Sequence, residues 1–292
     1  MSALAAAVER VWPGRDALSE ILGGGITNHN LKVEVGGEVF VLRVTGKDTH
    51  QLGIDRSVEL EATRAAAALE IGPEVVAFVE PEEWLVTRFV EGDTPPVERM
   101  REPEMLARVA AALRAFHHGP PLAGSFDSFR VVESYRGAAL ARGGTIPRAY
   151  DKAHGLATQI ERTRGGDAAK PCHNDLLNAN FLWNDERLYI VDWEYAGMGD
   201  PFFDLANFSI NHELDEDARG DLLEAYFGEI RPEQTRGLEL MRYMSDFREA
   251  MWGVVQTAVS ELDFDFAAYA SEHFARLERT AAEPAFRAAL AA

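Results

Sequence analysis

The stretch Cys172-His173-Asn174-Asp175-Leu176-Leu177-Asn178-Ala179-Asn180 decides how this chain is read. It sets an aspartate two residues after a histidine and an asparagine five residues after that aspartate. Twelve residues beyond Asn180, Asp192 closes the apolar run Leu188-Tyr189-Ile190-Val191. Between them lie Phe181-Leu182-Trp183 and the turn residues Asn184-Asp185-Glu186, which predict a short hairpin. An Asn/Asp-rich loop alone is only a turn signal. A loop, a hairpin of the right length and an aspartate where the strand leaves the core form a far more specific set.

The spacing H-x-D-x-x-x-x-N is that of a kinase catalytic loop. Its chemistry explains the residue types. An aspartate meets a substrate hydroxyl and takes its proton, while an asparagine further along holds metal against phosphates. A carboxylate at Asp192 offers the hard oxygen that Mg²⁺ prefers.

Working outward, the first ninety residues are strand-rich. Asn28–Val35 and Glu38–Val44 are joined by Gly36-Gly37, a tight-turn signal, since glycine accepts positive φ. Arg56 to Glu70 is Ala-rich and predicts a helix closed by Gly72-Pro73, and strands follow at Val75–Glu80 and Trp84–Val90. The order is strand, strand, helix, strand, strand. Gly23-Gly24-Gly25-Ile26-Thr27-Asn28 lies between two predicted strands. It reads either as a flexible turn or as a phosphate cradle of backbone N–H groups, to which Thr27 and Asn28 add donors. Arg43 stands in an apolar strand and needs a partner. Glu59 on the following helix is one candidate and Glu61 another; Arg43 also suits phosphate, or simply solvent if the strand is an edge.

The breaker-rich Glu91-Gly92-Asp93-Thr94-Pro95-Pro96 is the candidate hinge. Helices are expected over Pro103–His118 and Pro147–Thr163, and almost throughout from Pro201 to the C-terminus. The expectation is a two-lobed α+β chain: a β-rich lobe over 1–91 and a helical lobe over 92–292.

Bulk properties narrow the function. The 292 residues carry a net charge of −19, which argues against nucleic acid and is compatible with a cationic substrate. The single cysteine, Cys172, excludes an intrachain disulfide and fits a reducing cytoplasm. No run of eighteen apolar residues exists, so no membrane insertion is expected, and the N-terminus reads as a short helix rather than a signal peptide. A zinc site from His117, His118 and His173 has little support; the first two look like a solvated helix end. Monomer and homodimer both stay open.

These residues resemble the choline/ethanolamine kinase family, within the aminoglycoside-phosphotransferase-like branch of the protein-kinase fold. The matching pieces are Gly24-Gly25-Ile26-Thr27-Asn28, Val41-Leu42-Arg43-Val44, Ile71-Gly72-Pro73 and His173 through Asn180. They continue with Asp192-Trp193-Glu194-Tyr195, Phe203-Asp204-Leu205-Ala206-Asn207, and Met251-Trp252-Gly253-Val254-Val255-Gln256 followed by Tyr269. The resemblance implies ATP and Mg²⁺ as cofactors and a small amino alcohol as substrate. It makes Asp175 the base, with Asn180 and Asp192 as metal ligands. Arg43 becomes the phosphate-binding cation with Glu59 as its partner, and Gly24, Gly25, Thr27 and Asn28 the phosphate turn. It gives Phe89 to Gly92, Glu91 included, to the adenine hinge. His173 orients the loop. Asp204 braces it from a helix started by the N-cap Asp200 and Pro201. Trp252, Tyr269 and Tyr195 become candidates for a cation-binding aromatic cage, though Trp252 reads equally as core. Eukaryotic choline kinases place a second aromatic where Val255 stands and a carboxylate near Asn211, so the amino alcohol is left open. Same-fold rivals act on aminoglycosides, thiamine or methylthioribose. A pseudokinase is disfavoured because Asp175, Asn180 and Asp192 are all present.

Overall fold

The computed structural model describes residues 3–23, 28–46, 52–165, 168–260 and 262–292. After the short helix α1 (Ala3–Val11), five strands build an antiparallel sheet: β1 (Ala17–Leu22), β2 (His29–Val35), β3 (Glu38–Val44), β4 (Val75–Val79) and β5 (Trp84–Arg88). Their order is β1-β2-β3-β5-β4. The period-two pattern of β2 and β3 decides their faces. Leu31, Val33 and Val35 share one side, Leu31 opposite Leu42 and Val33 opposite Phe40. That side packs on Ala7 and Val8 of α1.

Helix α2 (Arg56–Ala68) enters between β3 and β4. Its N-cap Asp55 accepts from Ser57 N at 2.9 Å and Val58 N at 3.3 Å. The chain then crosses into helices α3 (Val97–Met100), α4 (Pro103–His117), α5 (Ser128–Ala141) and α6 (Ala149–Arg164). The crossing segment is tied down where Asp93 and Trp183 exchange backbone hydrogen bonds of 3.0 and 2.9 Å.

Two short strand pairings frame the loops. β6 (Lys170–Cys172) pairs with β9 (Gly197–Gly199), and β7 (Phe181–Trp183) with β8 (Leu188–Ile190). Helices α7 (Pro201–Asn211), α8 (Glu216–Phe227), α9 (Pro232–Val259), α10 (Phe266–Ala282) and α11 (Pro284–Ala291) complete the chain. The 28-residue α9 is buried on every side from Gly237 to Gln256, with α5, α7 and α10 packed around it. The fold is two-lobed, a small antiparallel sheet beside a larger helical part. Among the described residues no helix is long and apolar enough to cross a membrane.

The structure differs from the sequence expectation in three places. β1 gives bounds to the strand before the glycine turn, which the four-strand order left out; at the sheet edge it shows no alternation, Leu18 and Ile21 being 70% and 67% exposed. Helix α5 lay in a stretch without an assigned element. The strand expected to reach Asp192 ends at Ile190, because Asp192 turns into the left-handed region at φ 67°.

Gly253 on α9 faces α10 so closely that a Cβ would stand 3.0 Å from Ala270 Cβ and 3.1 Å from Phe266 O. Gly253→Val is expected to destabilise the protein by about 1–3 kcal/mol through overpacking. Thermal or urea unfolding of the variant checks this, and an unchanged midpoint would contradict the close packing of α9 on α10.

Candidate active site

The loop after β6 is shaped by one buried carboxylate. Asp204, on the first turn of α7, accepts His173 N at 2.8 Å and Asn174 N at 2.7 Å. The helix begins where Asp200 accepts from Phe202 N at 2.9 Å and Pro201 needs no donor partner. Asn174 takes φ 66° and donates its amide to Tyr195 O at 3.0 Å. The buried Asp175 side chain that follows this bend meets Arg248 of α9. Leu176 N donates to Asn207 Oδ1 at 2.5 Å, and Asn207 donates onward to Ser245 Oγ at 3.0 Å. Asn180 ends the loop, donating its amide to Asp175 O at 2.8 Å.

His173 is held as a neutral ring. Its Nε2 donates to Val191 O at 3.1 Å and its Nδ1 accepts from Asp175 N at 3.2 Å. Burial lowers its pKa to about 4. The ring also meets Trp193 edge-on, centroids 4.5 Å apart.

A cavity of about 350 Å³ separates the sheet from this loop. Val41, Leu85 and Phe89 line it from the sheet side, and Leu182, Val191 and Trp193 from the other. Arg43, Glu59, Asn180 and Asp192 also face it. Arg43 is ion-paired with Glu59 and lies 4.0 Å from Asp192 Oδ1. Glu61 instead accepts Ala123 N at 2.9 Å, so Glu59 is the partner. Burial lowers the Arg43 pKa to about 10, with Arg56 adding to the effect. Arg56 knits the junction together. It donates to Glu59 Oε2 at 2.7 Å, Glu194 Oε2 at 3.1 Å and Asn28 Oδ1 at 2.8 Å. Asn28 donates back to Glu194 at 2.8 Å, so its amide is spent within this network. Gly24, Gly25 and Thr27 lie outside the described residues. Glu91 is exposed, and its neighbours Val90 and Gly92 line the cavity instead.

Asp175 and Asp192 both have pKa values raised to about 7. Burial is the largest cause for each; nearby Glu249, Asp192 and Glu194 add to it at Asp175, and Glu194 at Asp192. Asp192 Oδ1 is buried and, among the described residues, accepts no hydrogen bond. Crowded carboxylate oxygens beside an asparagine are a donor set suited to Mg²⁺.

The three aromatic candidates do come together. Trp252 Nε1 donates to Tyr195 OH at 2.9 Å, and Trp252 and Tyr269 meet edge-on at 5.6 Å. Tyr269 OH donates to Glu249 Oε2 at 2.8 Å. Arg248 fills the space beside them, its Nη1 3.0 Å from Asp175 Oδ1.

Sequence reasoning missed Arg248, Glu249, Arg56 and Glu194. A signal existed for the first pair: Arg248 and Glu249 stand between the apolar residues Phe247 and Ala250-Met251-Trp252, and charges buried in such a stretch must find partners. His117 requires a correction. Far from a solvated helix end, it is buried, donating Nε2–H to Asp204 Oδ2 at 3.0 Å and accepting from Tyr226 OH at 2.7 Å. Cys172 lies beside it, and burial pushes its thiol pKa up. His118 is exposed and His173 faces Val191, so the three histidines form no cluster.

Comparison with known proteins places the chain. A family profile described as "Phosphotransferase enzyme family" matches residues 19–240. Protein LicA of Haemophilus influenzae is 33% identical over 210 residues, covering 70% of this chain and 61% of that protein. The chain therefore spans less than two thirds of that relative. A probable ethanolamine kinase of Arabidopsis thaliana is 25% identical over 287 residues, covering 86% of this chain and 76% of that one. Among solved structures, a choline/ethanolamine kinase family protein from Mesorhizobium loti superposes with a TM-score of 0.84 at 31% identity, covering 100% of this chain and 98% of the other.

The neutral His173 ring gives a pH test. An unfolded histidine binds its proton near pH 6.5, whereas this one resists until about 4. Its contribution is therefore full above pH 6.5 and lost as pH falls toward 4, by up to about 3 kcal/mol. Urea midpoints between pH 7.5 and 4 are expected to fall more steeply in the wild type than in His173→Gln. Parallel slopes would contradict the assignment.

Proposed function

This chain belongs to the phosphotransferase enzyme family, and we propose that it transfers the γ-phosphoryl group of ATP to the hydroxyl of choline or a related amino alcohol. The observation that carries this reading is the position of Asp175. It lies between the Asn180–Asp192 side of the inter-lobe cavity and the Tyr195–Trp252–Tyr269 cluster. The ethanolamine kinase relative and the choline/ethanolamine kinase family protein of Mesorhizobium loti support the same acceptor class.

The residues divide the work. Asp175 takes the proton of the acceptor hydroxyl as its oxygen attacks the γ-phosphorus and ADP departs. Its raised pKa suits a group that must accept a proton near neutral pH. Arg43, aligned by Glu59, contacts the phosphates. Nε and Nη2 of Arg43 are buried and, among the described residues, meet no acceptor, which leaves donors for phosphate oxygens. The family resemblance gives Gly24, Gly25 and Thr27 to phosphate binding, and the segment at Phe89 and Glu91 offers backbone to adenine. Asp204 and His173 are positioning residues that hold Asp175. Asn180 and Asp192 would hold Mg²⁺, which when bound neutralises phosphate charge. Tyr195, Trp252 and Tyr269 surround the substrate nitrogen. Most of the rate comes from orientation and electrostatics. An ATP-using enzyme with one buried thiol fits a cytoplasmic setting.

The test is a coupled ATP-turnover assay over choline, ethanolamine, thiamine and an aminoglycoside. Turnover confined to the amino alcohols is expected; turnover only on thiamine or the aminoglycoside would overturn the substrate class. Asp175→Ala should lower kcat by about 10³-fold or more while the fold survives. Wild-type-like turnover in that variant would remove Asp175 from its role. Asp192→Ala should abolish Mg²⁺-dependent ATP use, and turnover that persists with its Mg²⁺ dependence intact would count against the role.

A further inference from the structure

The buried end of Arg248 marks where a cation binds. Its guanidinium carbon stands 4.2 Å from the centroid of the Tyr195 ring. Its Nη1 is 3.0 Å from Asp175 Oδ1 and 2.5 Å from Glu249 Oε1. Both of those bonds run through one nitrogen. Nε and Nη2 are buried and, among the described residues, meet no acceptor. The guanidinium is thus hydrogen-bonded at one corner, and its withdrawal would break two hydrogen bonds and the contact with the Tyr195 ring.

What it touches describes a ligand. An aromatic face and an ionised carboxylate together suit an ammonium group. Asp175, on the far side of the same nitrogen, is the carboxylate assigned to a hydroxyl. Because Nη1 contacts both, the two carboxylate oxygens lie no farther apart than those two contacts end to end. That gap is short enough for a two-carbon amino alcohol, hydroxyl toward Asp175 and nitrogen toward Glu249. Tyr269 fixes the second Glu249 oxygen by donating to Oε2 at 2.8 Å, which leaves Oε1 turned toward the cation.

We propose that Glu249 receives the nitrogen of the substrate, that Arg248 is the resident cation the substrate displaces, and that the site favours acceptors keeping at least one N–H over quaternary ones. This rests on the amino-alcohol reading above and names the acceptor more narrowly. The physical reason is the state left behind when the guanidinium withdraws. Glu249 Oε1 is buried and loses its donor. An ammonium with an N–H returns a charge-assisted hydrogen bond, whereas a fully methylated nitrogen returns charge alone. A buried carboxylate oxygen without a donor is the costlier outcome.

The experiment measures kcat/KM for ethanolamine, N-methylethanolamine, N,N-dimethylethanolamine and choline, using the wild type and Glu249→Gln. In the wild type, modest changes are expected over the first three and a drop on the order of tenfold or more at choline, where the last N–H is lost. Glu249→Gln should lose more activity on ethanolamine than on choline, with the KM for ATP unchanged. The wild-type series stands even if the variant fails to fold. Turnover with no drop at choline, or an equal loss on both substrates in Glu249→Gln, would overturn this inference while leaving the amino-alcohol reading intact. No turnover on any of the four would overturn both.

Discussion

The site depends on the carboxylate of Asp204. It is fully buried, and its two oxygens accept the backbone N–H groups of His173 and Asn174 and the ring N–H of His117. Backbone donors inside a protein must be satisfied, and a carboxylate does so more strongly than a neutral acceptor. These contacts hold the bend at Asn174, and the Asp175 that follows meets Arg248 of α9 with its carboxylate. Around this anchor the chain adds supports from distant segments. Arg164 reaches Asp200 at 2.5 Å at the start of α7, Trp193 packs on His173, and Asn207 holds Leu176.

A second constraint joins the sheet to the loop. Arg43 of β3, Arg56 and Glu59 of α2, Glu194 after Asp192 and Asn28 just before β2 share one buried network. Buried ion pairs seldom add much net stability, because desolvation offsets the attraction. Their value here is geometric. They fix Arg43 beside Asp192 while leaving two of its nitrogens unpartnered among the described residues. On the other side of Asp175, Arg248 and Glu249 form a like arrangement, in which burial pushes the Glu249 pKa up but Arg248 outweighs it and keeps the carboxylate ionised.

Much of this was legible in the sequence, for reasons that differ by element. The strands β2 and β3 announced themselves through alternation and the Gly36-Gly37 turn, because one face is buried. β1 did not, since an exposed edge strand needs no alternation. The spacing from His173 to Asn180 and on to Asp192 carried the reaction class because it encodes a loop and a hairpin of set length. The choice between Glu59 and Glu61 was illegible, for both lie near the start of α2 and only packing turns one inward. His117 was misjudged because a helix end was assumed to be solvated, whereas α8 brings Tyr226 over it. Arg248 was overlooked because α9 carries charges along its length, as at Glu239, Arg242 and Asp246, and periodicity alone does not mark a helix buried on every side.

The central claim is that this scaffold moves a phosphoryl group onto an alcohol rather than onto water. The most direct measurement is ³¹P NMR of the wild-type protein incubated with Mg²⁺, ATP and ethanolamine. A growing phosphomonoester resonance, split by the adjacent methylene protons and matched by ADP, is the expected result. ADP accompanied only by inorganic phosphate, or an unchanged ATP spectrum, would contradict the account.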